Sequence, residues 1–163
     1  MQKARRSDPP GLFVSDRGEV AVRVDGDTRY VWRVSTGASG YSTPRGNYKP
    51  FRMEREHYSK EWDDAPMPHS IFFTSRGHAI HGSYHTKRLG QAVSHGCVRL
   101  APSNAATLFK LVQKAGMRNT TVVVKRGFDF GFAELEPPPM EKLKEPFVKL
   151  KKAKKPKWMS VFR

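Results

Sequence analysis

The sequence has a single cysteine, Cys97, among its 163 residues. No disulfide can form within the chain, so the thiol is either a small apolar residue of the core or a reactive group, and cysteine usage says nothing about redox compartment. No apolar run approaches the length that spans a bilayer, which excludes a simple transmembrane helix. Met1–Arg6 opens with Lys3, Arg5 and Arg6, but no apolar stretch follows, so a complete secretory signal is not expected here. Internal repeats are absent, which leaves one domain with tails as the organisation that this length supports. Acidic residues are scarce: 15 Asp and Glu face 30 Lys and Arg, leaving a formal charge of +15. A surface this basic draws polyanions, whether nucleic acid, anionic lipid headgroups or wall polymers, and charge alone does not choose among them. About half of the surplus lies in residues 140–163, which hold nine Lys and Arg against two Glu.

What is present reads as a mainly β domain with one clear helix over residues 11–135, between an N-terminal tail (1–10) and a Pro/Lys-rich basic tail (136–163). Leu12-Phe13-Val14 is a short apolar run, and Val20, Val22 and Val24 alternate with polar residues as in a half-buried strand. Asp25-Gly26 is a hairpin turn signal, and Tyr30–Val34 is its partner strand. Ser35–Gly46 reads as a loop, Asn47–Met53 as a strand, and 54–66 as irregular, with Asp63 and Asp64 as solvated loop residues. Ile71–Thr74 and His78–His81 are strands joined through Gly77, and Trp32 is a core residue. Ser103 after Pro102 is the expected N-cap of a helix with Leu108, Leu111, Val112 and Ala115 on one stripe and Gly116 as its stop. Thr120–Lys125 follows as a β-branched strand. The tail opens on Pro137-Pro138-Pro139, which favours extended backbone, and its Lys-rich remainder has the composition of a solvated segment.

The chemistry-bearing stretch is Ile80-His81-Gly82-Ser83, then Ser94-His95-Gly96-Cys97-Val98-Arg99-Leu100. A thiol of ordinary pKa is mostly protonated at neutral pH and needs an imidazole to take its proton before it attacks a carbonyl. His95 and His81 are both candidates. His95 shares a face with Cys97 only if the segment is extended and not if it turns at Gly96, whereas His81 reaches Cys97 only through the fold. Gly96 permits positive φ and close approach of a substrate, and amides at such a turn can form an oxyanion hole. On these features alone, a nucleophile turn and a buried structural cysteine both remain open.

His81-Gly82-Ser83 with Ser94–Leu100 resembles the signature of the L,D-transpeptidase, or YkuD, family: a His-Gly, a spacer, then Ser/Thr-His-Gly-Cys-apolar-Asn/Arg. Val34-Ser35-Thr36-Gly37, Thr43-Pro44-Arg45-Gly46-Asn47-Tyr48 and Met67-Pro68-His69-Ser70-Ile71-Phe72-Phe73 resemble further family segments in the same order, so the likeness spans about residues 12–125. The resemblance implies a β-sandwich-like catalytic domain in which Cys97 is the nucleophile, His81 the base and the Gly82 carbonyl the group that orients its imidazole. The Gly96 and Cys97 amides, with His95 nearby, would form the oxyanion site, and Arg99 would hold a substrate carboxylate or brace the turn in an ion pair. Ser83 and Ser94 would touch substrate or satisfy turn backbone, and Tyr84 would line the cleft or cover its rim. His69 stands where the family carries Tyr, so contacts there would differ. The implied activity is acyl transfer from a peptidoglycan stem peptide, through a Cys97 thioester, to an amine of a second stem peptide or of an outer-membrane protein. The implied location is the periplasm or cell envelope, with susceptibility to carbapenems. An L,D-carboxypeptidase, or an amidase that releases wall-linked protein, is the alternative on the same scaffold.

Two readings of other classes carry less. His78, His81, His85, His95 and Cys97 are zinc ligands by type, but Gly-Ser-Tyr between His81 and His85 is not helical, and no carboxylate or second cysteine joins them. No metal or other cofactor is therefore expected. Tyr41, Tyr48 and Phe51 among Arg45, Lys49 and Arg52 have the composition of a nucleic-acid module, yet read better as core aromatics beside solvated cations. The basic tail fits an anionic wall or membrane surface. Deleting residues 140–163 is expected to weaken co-sedimentation with purified sacculi at low salt; an unchanged pellet would remove the tail from wall binding.

Overall fold

The computed structural model describes residues 10–127. The expectations for residues 1–9, Pro137–Pro139 and the basic tail lie outside the described residues. The strands are, in chain order, β1 (Gly11–Ser15), β2 (Glu19–Val24), β3 (Asp27–Arg33), β4 (Thr36–Gly37), β5 (Gly46–Tyr48), β6 (Arg52–Glu54) and β7 (Tyr58–Ser59). Then come β8 (Ala65–Pro66), β9 (Ser70–Phe72), β10 (Ala79–Gly82), β11 (Ala92–Ser94), β12 (Val98–Leu100), the helix α1 (Pro102–Ala115) and β13 (Thr121–Lys125).

One sheet has the order β3-β2-β1-β13-β5 and a second β12-β10-β9-β6. Within them β1 pairs in parallel with β13 and β10 with β12, while the other ladders are antiparallel. Asp25 and Gly26 turn β2 into β3 with φ of 54° and 83°, the mirror-image turn that matches the twist of a hairpin. The core joins Leu12, Val14, Val20, Val22, Val122 and Val124 of the first sheet to Ile71, Ile80, Val98 and Leu100 of the second and to Ala105, Leu108, Phe109 and Val112 of α1. Trp32 packs partly buried against it. α1 covers β10 and β9. The second sheet and its helix therefore hold β10 and β12, which carry His81 and lead out of Cys97, in a rigid setting.

Four expectations change. The predicted strand Asn47–Met53 is two strands in different sheets, β5 and β6, divided at buried Pro50, which has no N–H for a ladder. The region 54–66 contains the small hairpin β7–β8, whose tip residues Asp63 and Asp64 both have φ of 48°, a region that Asp tolerates better than most side chains. The loop 35–46 includes β4, paired in parallel with β11. The helix begins two residues earlier than predicted: Pro102 occupies its first position, where fixed φ is an asset and a missing N–H costs nothing. Ala101 is the N-cap and makes no side-chain cap bond, and Ser103 lies inside the first turn. The buried stripe is Ala105, Leu108, Phe109 and Val112, with Leu111 at its margin. Gly116 does end the helix, its N–H donating to the Val112 carbonyl at 2.8 Å.

A buried threonine ties the loop 35–46 to the turn before Cys97. Thr43 Oγ1 accepts from the Gly37 N–H at 3.0 Å and donates to the Gly96 carbonyl at 2.9 Å. A Cβ on Gly37 would lie 1.9 Å from the Tyr41 carbonyl oxygen, so only glycine admits this approach. Thr43→Val keeps the shape and orphans two backbone groups, each worth about 1–3 kcal/mol when left buried and unpaired. It is expected to lower unfolding free energy in urea by about 2–4 kcal/mol; a loss below about 0.5 kcal/mol would show that the brace is dispensable.

Candidate active site

β10 and β12 pair in parallel with Ile80 opposite Val98 and His81 opposite Arg99. Ile80, Val98 and Leu100 are fully buried in the core. Side chains alternate along a strand, so His81 and Arg99 face the other way, and Cys97, two residues before Arg99, opens onto the same side. These three line one cleft of about 590 Å³.

His81 is 5% exposed. Its Nδ1 donates to the Gly82 carbonyl at 2.7 Å, since a carbonyl can only accept. The bond fixes the tautomer and leaves Nε2 as the basic nitrogen. Burial pulls the imidazole pKa down to about 4; the Gly82 bond opposes this, while the nearby charges of Arg99 and His57 reinforce it. His81 is therefore a neutral base at neutral pH. A Cβ at Gly82 would meet Pro68 Cγ at 3.0 Å and Ala105 Cβ at 3.3 Å, so the backbone behind the imidazole is tightly packed.

Cys97 is half-buried and packs against Met67, Phe72 and Ala79, with Sγ 4.0 Å from the Gly77 carbonyl. Burial pushes its thiol above the ordinary value; the Ala79 amide and Arg99 pull the other way, and Glu61 adds to the rise. At rest the pair is thus a thiol beside a neutral imidazole. The Arg99 backbone is clamped to Ser35 by two bonds of 2.9 Å, and its guanidinium has no carboxylate within ion-pair distance among the described residues.

The chain turns at Gly96, whose φ is 117°. A Cβ there would also lie 2.7 Å from the His78 ring. Because of the turn, His95 leaves the face of Cys97. It stands exposed on the cleft wall, stacked on Trp62 (3.6 Å between centroids, 9° between planes) and edge-on to Tyr41 at 5.0 Å. Ser94 is buried in the turn: its Oγ accepts from the Gly96 N–H at 3.1 Å and donates to the Cys97 carbonyl. One expectation is corrected by this: the Gly96 amide is consumed within the turn and is not free to face an oxyanion. Of the two roles open to Ser94, its bonds are those of a residue that satisfies turn backbone. Ser83 lines the cleft, but its Oγ accepts from the His85 N–H at 3.2 Å. Tyr84, 67% exposed, sits on the rim. His69 is off the cleft, its ring against Phe109 at 5.4 Å, so the departure from Tyr at that position falls on packing.

The cleft also draws on residues not foreseen for this role: Met67 and Phe72 in its floor, Tyr41 and Trp62 in its wall, and Arg52, His57 and Arg76 around it. In the sequence Arg52 and Phe72 read only as strand residues and Met67 as part of a family-like segment, while the others lie in stretches without a strand or helix pattern that pointed to the cleft. His78 and His85 line the cleft as well, His78 with Nδ1 2.7 Å from Thr74 Oγ1. Among the described residues no group of three His, Cys, Asp or Glu is placed to hold a metal.

Comparison with known proteins bears on this arrangement. YqjB of Bacillus subtilis (strain 168), provisionally named an L,D-transpeptidase, is 28% identical over 116 residues, 63% of this chain and 66% of that protein. A crystal structure of an L,D-transpeptidase from Stackebrandtia nassauensis superposes with a TM-score of 0.60 at 29% identity, covering 76% of this chain and 58% of that one. An L,D-transpeptidase from Mycobacterium tuberculosis H37Rv superposes with a TM-score of 0.65 at 22% identity, covering 73% and 58%. The chain thus spans less than two thirds of each relative's length. The profile of the L,D-transpeptidase catalytic domain, YkuD, matches residues 11–124, well over half of the sequence and the whole of the cleft, and on that match the chain belongs to this family.

Proposed function

We propose that this chain is a cysteine acyltransferase acting on peptidoglycan stem peptides, with Cys97 as nucleophile and His81 as base. The observation that carries the reading is the His81 Nδ1–Gly82 bond of 2.7 Å, which presents an unprotonated Nε2 in the cleft that holds the only thiol of the chain. His81 takes the proton of Cys97 as sulfur attacks the carbonyl of an L-centre–D-alanine bond. The proton then passes to the departing D-alanine amine, and a thioester remains on Cys97. An amine acceptor attacks the thioester, an amide forms and the thiol is restored. The thioester keeps much of the free energy of the cleaved amide, so no ATP is required.

The Cys97 amide is the oxyanion donor in this reading, with His95 nearby in the wall. Arg99 supports both halves: its charge favours the thiolate, and its guanidinium, with no carboxylate partner among the described residues, suits a stem-peptide carboxylate. Tyr84 on the rim and Ser83 on the wall meet the bound peptide. The acceptor is a second stem peptide or a protein amine of the envelope, which places the reaction outside the cytoplasmic membrane.

A carbapenem presents a strained acyl group to the same thiol. Intact mass is expected to rise by one carbapenem on the wild type and not on Cys97→Ala, and His81→Ala is expected to slow acylation by on the order of 10²–10⁴-fold. An adduct on Cys97→Ala, or none on folded wild type, would remove Cys97 from the mechanism.

The pH dependence has a definite sign. His81, lowered to about 4, is in its basic form at all higher pH and is lost as a base when pH falls through that value. The thiol, raised by burial, stays protonated through neutrality. The acylation rate is therefore expected to be flat between about pH 5.5 and 8 and to fall about tenfold per unit below about 4. A rise through neutrality with a midpoint near pH 7 would instead indicate an ion pair already formed at rest.

A further inference from the structure

The cleft holds a second histidine, His57, whose pairing with the Glu54 carboxylate the steps above leave unused. His57, between β6 and β7, lines the same cleft as Cys97 and His81, and its charge is felt at His81. Its Nδ1 lies 2.6 Å from Glu54 Oε2, while Glu54 Oε1 is 3.1 Å from Arg52 Nε. The carboxylate is therefore held from two sides. The His57 ring stands edge-on to Phe72 at 5.1 Å, and its carbonyl accepts from the Met67 N–H at 2.7 Å. The ring is thus fixed in position, and a carboxylate on Nδ1 selects the tautomer with a basic Nε2. Nε2 has no hydrogen-bond partner among the described residues. The two histidines differ in access. His81 is buried against the Gly82 carbonyl, whereas the His57 side chain is 25% exposed and can return a proton to water.

Acyl transfer to an amine needs two proton removals from nitrogen. An alkyl amine has a pKa of about 10 and arrives as an ammonium with no lone pair. We propose that His57, held by Glu54, is the catalytic base that strips this first proton from the acceptor ammonium. The inference rests on the transpeptidase reading above. The balance is complete: the ammonium gives one proton to His57 Nε2, and the free amine then attacks the thioester carbonyl. The new C–N bond forms, the C–S bond breaks, and the second N–H proton passes through His81 to the departing sulfur. His57 releases its proton to solvent, with the Glu54 carboxylate balancing the imidazolium in the interval.

The test separates the half-reactions. Wild type, His57→Gln and Glu54→Gln are mixed with a stem tetrapeptide ending in D-alanine, and the Cys97 thioester is followed by intact mass. Its formation is expected to change by no more than about threefold in the variants, since general-base effects there belong to His81. Transfer of the preformed acyl group to a second stem peptide is expected to fall on the order of 10²-fold in His57→Gln and about tenfold in Glu54→Gln. Hydroxylamine, already unprotonated at neutral pH, is expected to accept the acyl group from His57→Gln as fast as from wild type. Equal transfer to the stem amine by wild type and His57→Gln overturns the proposal. So does slow transfer to both acceptors, which would mark His57 as a packing residue. Absence of a thioester on wild type overturns the transpeptidase reading itself, and this inference with it.

Discussion

The parallel pairing of β10 with β12 is the constraint on which the rest of the molecule depends. Its register sets His81 beside Arg99 and Ile80 beside Val98. Ile80, Val98 and Leu100 then have no freedom, because each is completely buried. A slip of one residue would turn these side chains to the cleft and drive a histidine and an arginine into the core, at a cost far above the stability of a small domain. Hydrophobic burial on one face therefore specifies chemistry on the other. The helix on β10 and β9, the Ser35 clamp on β12 and the Thr43 brace on Gly96 all hold that one register and the turn that leads into it.

The same burial sets the electrostatics. Desolvation is the largest influence on both His81 and Cys97, and it acts on each against its charged form. A resting ion pair is thereby disfavoured. Arg99 contributes oppositely to the two groups: it eases ionisation of the thiol and opposes protonation of the imidazole. Glycine is required at two points, for separate reasons. At Gly37 a Cβ would run into the Tyr41 carbonyl, and at Gly96 the backbone is in a region of positive φ with the His78 ring against it.

Much of the architecture was legible from pattern. Alternating valines marked β2, and Asp25-Gly26 marked the hairpin, because both are local properties of a strand and a turn. The helix was legible as an element but not at its start, since Pro102 satisfied the first turn by covalent restraint and made a Ser103 cap unnecessary. The run Asn47–Met53 misled for a physical reason: its composition favours extended backbone throughout, while buried Pro50 divides it between two sheets. Local preference cannot report which sheet a strand joins.

Candidate site residues divide in the same way. The sequence alone determined the candidate reacting groups, since one thiol, a glycine before it and a His-Gly upstream are statements about composition and order. It also carried the family likeness that the profile over residues 11–124 bears out. Only the tertiary structure decided that His81 rather than His95 shares the face of Cys97, because the fifteen intervening residues must fold to place β10 beside β12. It alone decided that Ser94 consumes the Gly96 amide, that His95 stacks on Trp62, and that His57, paired with Glu54, lines the same cleft as Cys97. These are contacts across space, set by burial and register, and the order of residues along a chain does not contain them until the two sheets close on one another.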